Sequence, residues 1–199
     1  TIHEQNMRHR LTEALCGYHE KYPYRYGMKK AEIHMTYMKK VKLNVFDLYV
    51  EMLSEEGVLK RHQEFLQLPE FEVRKDAVYE KVLKTVQKQF EKAQFDFQRF
   101  SEISFGNIKR EEVEDIMLLL IDEDIVVKIT EDIYTLKSII EKAKEVIQNR
   151  LKENPLITIA EVRDLLGTSR KSAKPILEYM DSIKVTKKNG TESERVAYI

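Results

Sequence analysis

The sequence predicts a mainly α-helical fold with small β-hairpins, arranged as a tandem array of one small domain repeated three times. Amphipathic stretches with apolar residues three and four positions apart recur along the chain. Three of them end in acidic residues and run into a short apolar hairpin: VFDLYVEMLSEEGVLKRHQEFLQLP, VEDIMLLLIDEDIVVKITEDIYTLK and AKPILEYMDSIKVTKKNGTESERVAYI. Aligning Gly57 with Asp124 and Lys184 gives spacings of 67 and 60 residues, a period that suits stacked copies of a small domain.

Each copy can be read from its start. In the first, Met7, Leu11, Leu15 and Tyr18 share one helical face, and a short helix follows around MKKAEIHM. Asn44 is then expected to cap a longer helix that turns Val45, Leu48, Tyr49 and Met52 inward. In the second copy, Val78, Val82, Val86 and Phe90 mark the first helix at fourfold spacing, and VEDIMLLLIDED is the third helix. In the last copy, a helix over SIIEKAKEVIQNRLKENP stops at Pro155, and Thr158 to Glu161 (TIAE) forms a capping box. Val162, Leu165 and Leu166 give a short apolar face, Gly167 turns the chain and Ser169 caps the next helix. The buried stripe of that helix is Ala173, Ile176, Leu177 and Met180.

Helix, helix, turn, helix and hairpin make a winged-helix unit. Three are expected, over residues 1–73, 74–136 and 137–199, with the last as the binding head. No glycine- or serine-rich linker separates them, so packed rather than freely swinging units are expected.

Composition sets outer limits. The 199 residues are 42% hydrophobic and 34% charged, with 34 basic and 34 acidic side chains. A single cysteine, Cys16, excludes an intrachain disulfide and suits a reducing cytoplasm. No apolar run reaches the roughly 20 residues that span a bilayer. The start at Thr1 suggests a fragment or a processed chain.

Charge is segregated within this neutral total. From 111 to 132 there are nine acids (Glu111, Glu112, Glu114, Asp115, Asp122, Glu123, Asp124, Glu131, Asp132) and one base, Lys128. From 165 to 190 there are six bases (Arg170, Lys171, Lys174, Lys184, Lys187, Lys188) and two acids, Glu178 and Asp181. Arg170, Lys171 and Lys174 fall on the helix that would be the recognition helix of the last unit. Lys187, Lys188 and Arg195 fall on its hairpin, whose tip is marked by Asn189-Gly190. Ser169 stands at a helix start, where free amides attract phosphate. Two basic surfaces meeting at one edge suit a nucleic-acid backbone, because each neutralised phosphate releases a counterion. The competing reading of such a surface is a solvated face. An acidic middle followed by a basic end favours a spacer and a binding head. Pro175, early in the same helix, removes the bond to the Lys171 carbonyl and bends the first turn.

The run ITIAEVRDLLGTSRKSAKPILEYMDSIKVTKK resembles the last winged-helix domain of SelB, the bacterial selenocysteine-specific elongation factor family. Nearly every position from Ile157 to Asp181 fits that family's pattern. In the first unit, YHEKYPYRYGMKKAEI and FDLYVEMLSEEG resemble an earlier domain of the same array. The resemblance implies RNA binding: the last winged helix would grip an mRNA hairpin, the selenocysteine insertion sequence (SECIS) element. It would thereby tether selenocysteyl-tRNA at the ribosome for in-frame UGA codons. Deep, narrow A-form grooves exclude a helix, so phosphates and splayed loop bases are what such a protein reads.

Carried onto this chain, the family's RNA-binding surface is Arg163, Ser169, Arg170, Lys171 and Lys174 on the helices, with Lys187, Lys188 and Arg195 on the wing. Two departures stand out. Lys184 occupies a place where glycine is usual, and the hairpin is longer and more acidic than the pattern, with Glu192 and Glu194. The resemblance further implies a cytoplasmic monomer with no membrane contact. It implies no cofactor in these domains, with GTP and magnesium belonging to a GTPase part outside this sequence.

Other signals rank lower. His3, His9, His19, His34 and His62 read as surface or boundary residues, and Cys16 with His19 lacks the second ligand pair a metal site needs. No G-x-x-x-x-G-K-[ST] loop and no nucleophile elbow occur, so no enzyme is expected in this chain. Lys29, Lys30, Lys39, Lys40 and Lys42 read as a solvated face, with a secondary contact to ribosomal RNA or tRNA as the alternative. The second function class is a tandem winged-helix DNA-binding or protein-scaffolding module, since fold alone does not fix function.

Overall fold

The structure, a computed structural model, describes residues 2–198. In chain order the elements are α1 (Ile2–Lys21), β1 (Met28–Lys29), α2 (Lys30–Tyr37), α3 (Leu43–Glu55), β2 (Lys60–His62) and β3 (Phe65–Gln67). There follow α4 (Ala77–Ala93), a 3-10 turn (Phe100–Glu102), α5 (Arg110–Asp122), β4 (Val126–Thr130) and β5 (Ile133–Leu136). The last set is α6 (Lys137–Glu153), β6 (Leu156–Thr158), α7 (Ile159–Leu166), α8 (Arg170–Ser182), β7 (Thr186–Asn189) and β8 (Thr191–Ala197).

The order helix, strand, helix, helix, hairpin occurs at both ends of the chain. At each end the strand after the first helix joins the hairpin, giving three-stranded antiparallel sheets in the orders β1-β3-β2 and β6-β8-β7. The expected two-stranded wings therefore gain a strand at both ends. In the middle, β4 and β5 pair alone, and the 3-10 turn stands where the end sets have their second helix. The chain is mainly helical with small antiparallel sheets, a tandem array of winged-helix domains.

The aligned turn positions coincide in detail. Gly57, Asp124 and Lys184 all lie in left-handed backbone, with φ of 70°, 60° and 57°. Each is followed by the same closing bond from the next amide back to a buried helical carbonyl. Val58 donates to Leu53 at 2.9 Å, Ile125 to Leu120 at 3.0 Å and Val185 to Met180 at 2.9 Å. One helix-ending device thus serves all three helix-to-wing junctions.

Packing divides the chain into two compact units, residues 1–79 with 109–119, and residues 80–108 with 120–199. In the first unit, Leu11 and Leu15 of α1, Ile33 of α2, Phe46, Val50 and Leu53 of α3 and Leu66 of β3 are fully or almost fully buried in one cluster. The α3 expectation needs correction. The helix begins after Lys42, not at Asn44, and the Lys42 side chain makes no capping bond. Val45 and Leu48 face outward, 49% and 66% exposed. Phe46, Val50 and Leu53, a stripe displaced by one residue, form the buried face instead. His19 is also corrected: it is buried, stacks on Phe71 at 3.7 Å and accepts a bond from the Leu68 amide at 3.2 Å. The side chain of His3 lies outside the described residues.

Two carboxylates, the half-exposed Asp76 and the buried Asp115, tie the rest of this unit together. Asp76 accepts from the Tyr24 hydroxyl at 3.1 Å and from the amides of Val78 and Tyr79 at 3.0 and 3.2 Å, closing the start of α4. Arg25 donates to Asp115 at 2.7 Å. Burial lifts the Asp115 carboxyl above its ordinary range, against the pull of that guanidinium.

In the second unit the core joins Val127, Ile140, Ala143 and Ile147 to Ile157, Ile159, Val162, Leu166, Ala173, Ile176, Leu177 and Met180. The whole expected α8 stripe is buried there. Phe95 and Phe97, from the segment after α4, pack against the same cluster.

Candidate nucleic-acid interface

The basic end is built from α7, α8 and the β7–β8 wing. At the start of α7 the capping box forms as read: the Glu161 amide donates to Thr158 Oγ1 at 3.2 Å, and the Thr158 amide donates to Glu161 Oε2 at 2.9 Å. Arg150 of α6 also bonds Glu161. Burial pushes the Glu161 carboxyl up, but the Thr158 and Arg150 bonds outweigh it and hold the group below its ordinary range. This lock fixes where α7 begins and hence where the turn at Gly167 delivers the chain to α8.

Ile176, Leu177 and Met180 anchor one face of α8, so Arg170, Lys171 and Lys174 stand exposed on the other. Arg170 and Lys171 have no ion-pair partner among the described residues. Lys174 lies 3.7 Å from Glu178 one turn later. Pro175 sits within α8. It costs one backbone bond in a helix whose buried stripe is complete on either side of it.

The remaining expected site residues divide. Arg163 is exposed on α7 and paired with Asp164 at 2.6 Å. Lys187 is exposed on β7, its ammonium 5.9 Å from the Tyr198 ring centre. Lys188 is exposed but pairs with Glu192 at 2.5 Å. That hydrogen bond and charge hold Glu192 below the ordinary carboxylate range. The hairpin turns at Gly190, flanked by Asn189 and Thr191. Ser169 is the residue before α8, yet its side chain makes no capping bond to the backbone amides of that helix, and it lies 3.5 Å from the Ser172 hydroxyl. Its hydroxyl donates to Asp96 at 2.9 Å.

Arg195 is a correction. It is 0% exposed and donates to Asp181 at 2.7 Å and to the carbonyls of Glu192 and Glu194 at 2.9 and 3.0 Å. Asp181 in turn accepts from Thr186 Oγ1 at 2.6 Å. A guanidinium enclosed in this way has no face left for a phosphate, so it joins the wing to the end of α8.

Sequence reasoning passed over Tyr198. It stands 47% exposed after β8, with the ammonium groups of Lys184 and Lys187 at 6.0 and 5.9 Å from its ring. Basic residues interleaved with an aromatic were the available signal. In the first unit, Lys29 pairs with Glu64 at 2.9 Å and Lys30 with Asp47 at 2.8 Å, while Lys39, Lys40 and Lys42 are exposed. Among the described residues, no three His, Cys, Asp or Glu side chains converge as a metal site, and no helix is long and apolar enough to cross a membrane.

Two family models described as "Elongation factor SelB, winged helix" match this chain, one over residues 149–193 and the other over 12–68, together about half of it. A curated relative from Desulfomicrobium baculatum, "Selenocysteine-specific elongation factor", is 24% identical over 185 residues. That alignment takes in 92% of this chain and 29% of the relative. The chain thus spans about three tenths of that protein's length. Among solved structures, the mRNA-binding domain of elongation factor SelB from E. coli in complex with SECIS RNA superposes with a TM-score of 0.53 and 19% identity. It covers 63% of this chain and all of that one. A bacterial selenocysteine-specific elongation factor EF-Sec superposes with a TM-score of 0.54 and 18% identity, over 98% of this chain and 29% of that one. Two matched domain models and a shared architecture place the chain: it belongs to the SelB elongation-factor family, of which it carries winged-helix domains.

Proposed function

We propose that this chain is the mRNA-binding part of a selenocysteine-specific elongation factor, and that its last winged helix holds a SECIS-type hairpin. The observation that carries the reading is the pair Arg170 and Lys171, exposed and without ion-pair partners at the start of α8. Such cations release counterions when they meet phosphate, with no internal salt bridge to break first. The solved relative bound to SECIS RNA supports the choice of ligand. Lys174, Lys187, Lys188 and Arg163 extend the contact surface, all but Lys187 only after exchanging a carboxylate partner for phosphate.

The three-domain division at 1–73, 74–136 and 137–199 belongs to this reading. So do selenocysteyl-tRNA and the ribosome as partners, a monomeric state and a cytoplasmic setting. GTP and magnesium are assigned to the part of the full-length protein outside this sequence.

The test is a titration against a SECIS-type RNA hairpin and a DNA duplex of equal length, at two salt concentrations. Arg170→Ala/Lys171→Ala is run in parallel. Loop-dependent RNA binding that the double variant loses is the expected result. Equal weak binding to both nucleic acids, unchanged in the variant, would overturn the reading in favour of a solvated basic face.

A further inference from the structure

We propose that Asp96 is a positioning residue of the RNA-binding head. Its carboxylate takes the seat at the start of α8 that an RNA phosphate would otherwise fill, and so directs the RNA backbone onto Arg170, Lys171 and Lys174. This rests on the hairpin-binding reading above.

Three consecutive residues run across the start of α8. Thr168 Oγ1 donates to the Phe95 carbonyl at 2.6 Å, and Ser169 Oγ donates to Asp96 Oδ1 at 2.9 Å. Ser172 Oγ lies 3.4 Å from the same carboxylate oxygen and accepts from the Phe97 amide at 3.0 Å. Phe95 and Phe97 pack against the core on either side, so the position of Asp96 between them is set by the fold.

The first turn of α8 has no acidic residue of its own, and a helix start favours a negative charge. Asp96 supplies that charge from another part of the chain. A phosphate is drawn to a helix start for the same reason, and two anions at one helix start repel. Asp96 forms no ion pair with Arg170 or Lys171. Its charge therefore meets hydroxyls and the helix end, and leaves those cations available to phosphate. Ser169, which sequence reasoning places among the phosphate ligands, already has its hydroxyl engaged by this internal anion.

The test uses the 199-residue chain. Asp96→Asn removes the charge but keeps a carbonyl oxygen to accept the Ser169 hydroxyl. Asp96→Glu keeps the charge. Each is titrated with the hairpin across a salt series beside the unaltered chain. For Asp96→Asn the expected result is roughly three- to tenfold tighter binding, with the slope of log K against log salt steeper by about one, as one more phosphate is neutralised. Asp96→Glu should keep the original slope. A residue that only braces the fold would change melting temperature and leave the slope alone. An Asp96→Asn chain with the original slope, while the unaltered chain binds the hairpin, overturns the proposal. If the unaltered chain prefers no hairpin at all, the binding reading itself falls and this proposal with it.

Discussion

Arg195 of the wing and Asp181 at the end of α8 form a 2.7 Å ion pair in which the arginine is completely enclosed. The guanidinium also donates to two wing carbonyls, and its Nη2 is left without a hydrogen-bond partner. Removing one partner of such a pair leaves an uncompensated charge, a loss of about 3 kcal/mol or more. Arg195→Ala is therefore expected to lower thermal and urea stability by that order. At temperatures where the variant stays folded, its hairpin affinity should match the parent. Weaker RNA binding at undiminished stability would instead place Arg195 at the interface.

Left-handed backbone at Asp124 and Lys184 is a position glycine fills without strain. Outside glycine it costs about 1–2 kcal/mol per residue, partly offset by the greater freedom glycine has when unfolded. Lys184→Gly and Asp124→Gly should each raise stability by up to about 1 kcal/mol. Gly57→Ala, the reverse change at the matched turn, should lower it by a similar amount. Urea midpoints of the three variants check the set, and a loss in either glycine variant would contradict it.

Gly27 is required for a different reason. A Cβ there would come 2.2 Å from the carbonyl oxygen of Leu66, the residue that β1 pairs with through Met28. Gly27→Ala must push β1 off β3, a loss on the order of 2–3 kcal/mol for overpacking against rigid backbone. Amide exchange at β1 and β3 would show it as faster opening.

His19 gives the first unit an acid sensitivity. Burial, which disfavours the charged ring, holds its pKa at about 4, below the ordinary 6.5, and the neutral ring accepts the Leu68 amide. The unfolded chain takes up its proton near pH 6.5. The stabilisation is thus fully present above that pH and is lost as pH falls toward 4. At 1.36 kcal/mol per pKa unit the whole interval amounts to roughly 3 kcal/mol. Urea unfolding at pH 7 and pH 5 should show the decline, and His19→Gln should flatten it.

Much of this architecture is legible in the sequence where the signal is local. The TIAE capping box and the stripe Ala173, Ile176, Leu177 and Met180 depend on neighbours a turn away, and both stand as read. The helix α3 offers two interleaved apolar stripes, and periodicity cannot choose between Val45 with Leu48 and Phe46 with Val50. Tertiary packing chose the second. Strands β1 and β6, two and three residues long, carry too little pattern to be seen. At the candidate site, the exposure of Arg170, Lys171 and Lys174 follows from the α8 stripe. The burial of Arg195 depends on Asp181, fourteen residues away, and the Asp96–Ser169 bond spans 73 residues. No local rule reaches either.

Phe95 and Phe97 belong in sequence to the connection after α4, yet they finish the core under α8. The head is accordingly no interchangeable cassette. A chain severed just ahead of α6 would take its cationic helix with it and leave behind two aromatic plugs and the cap on that helix. Grafting or exchanging such heads between relatives calls for a cut upstream of Phe95, so that the borrowed plugs travel with the cargo they seal.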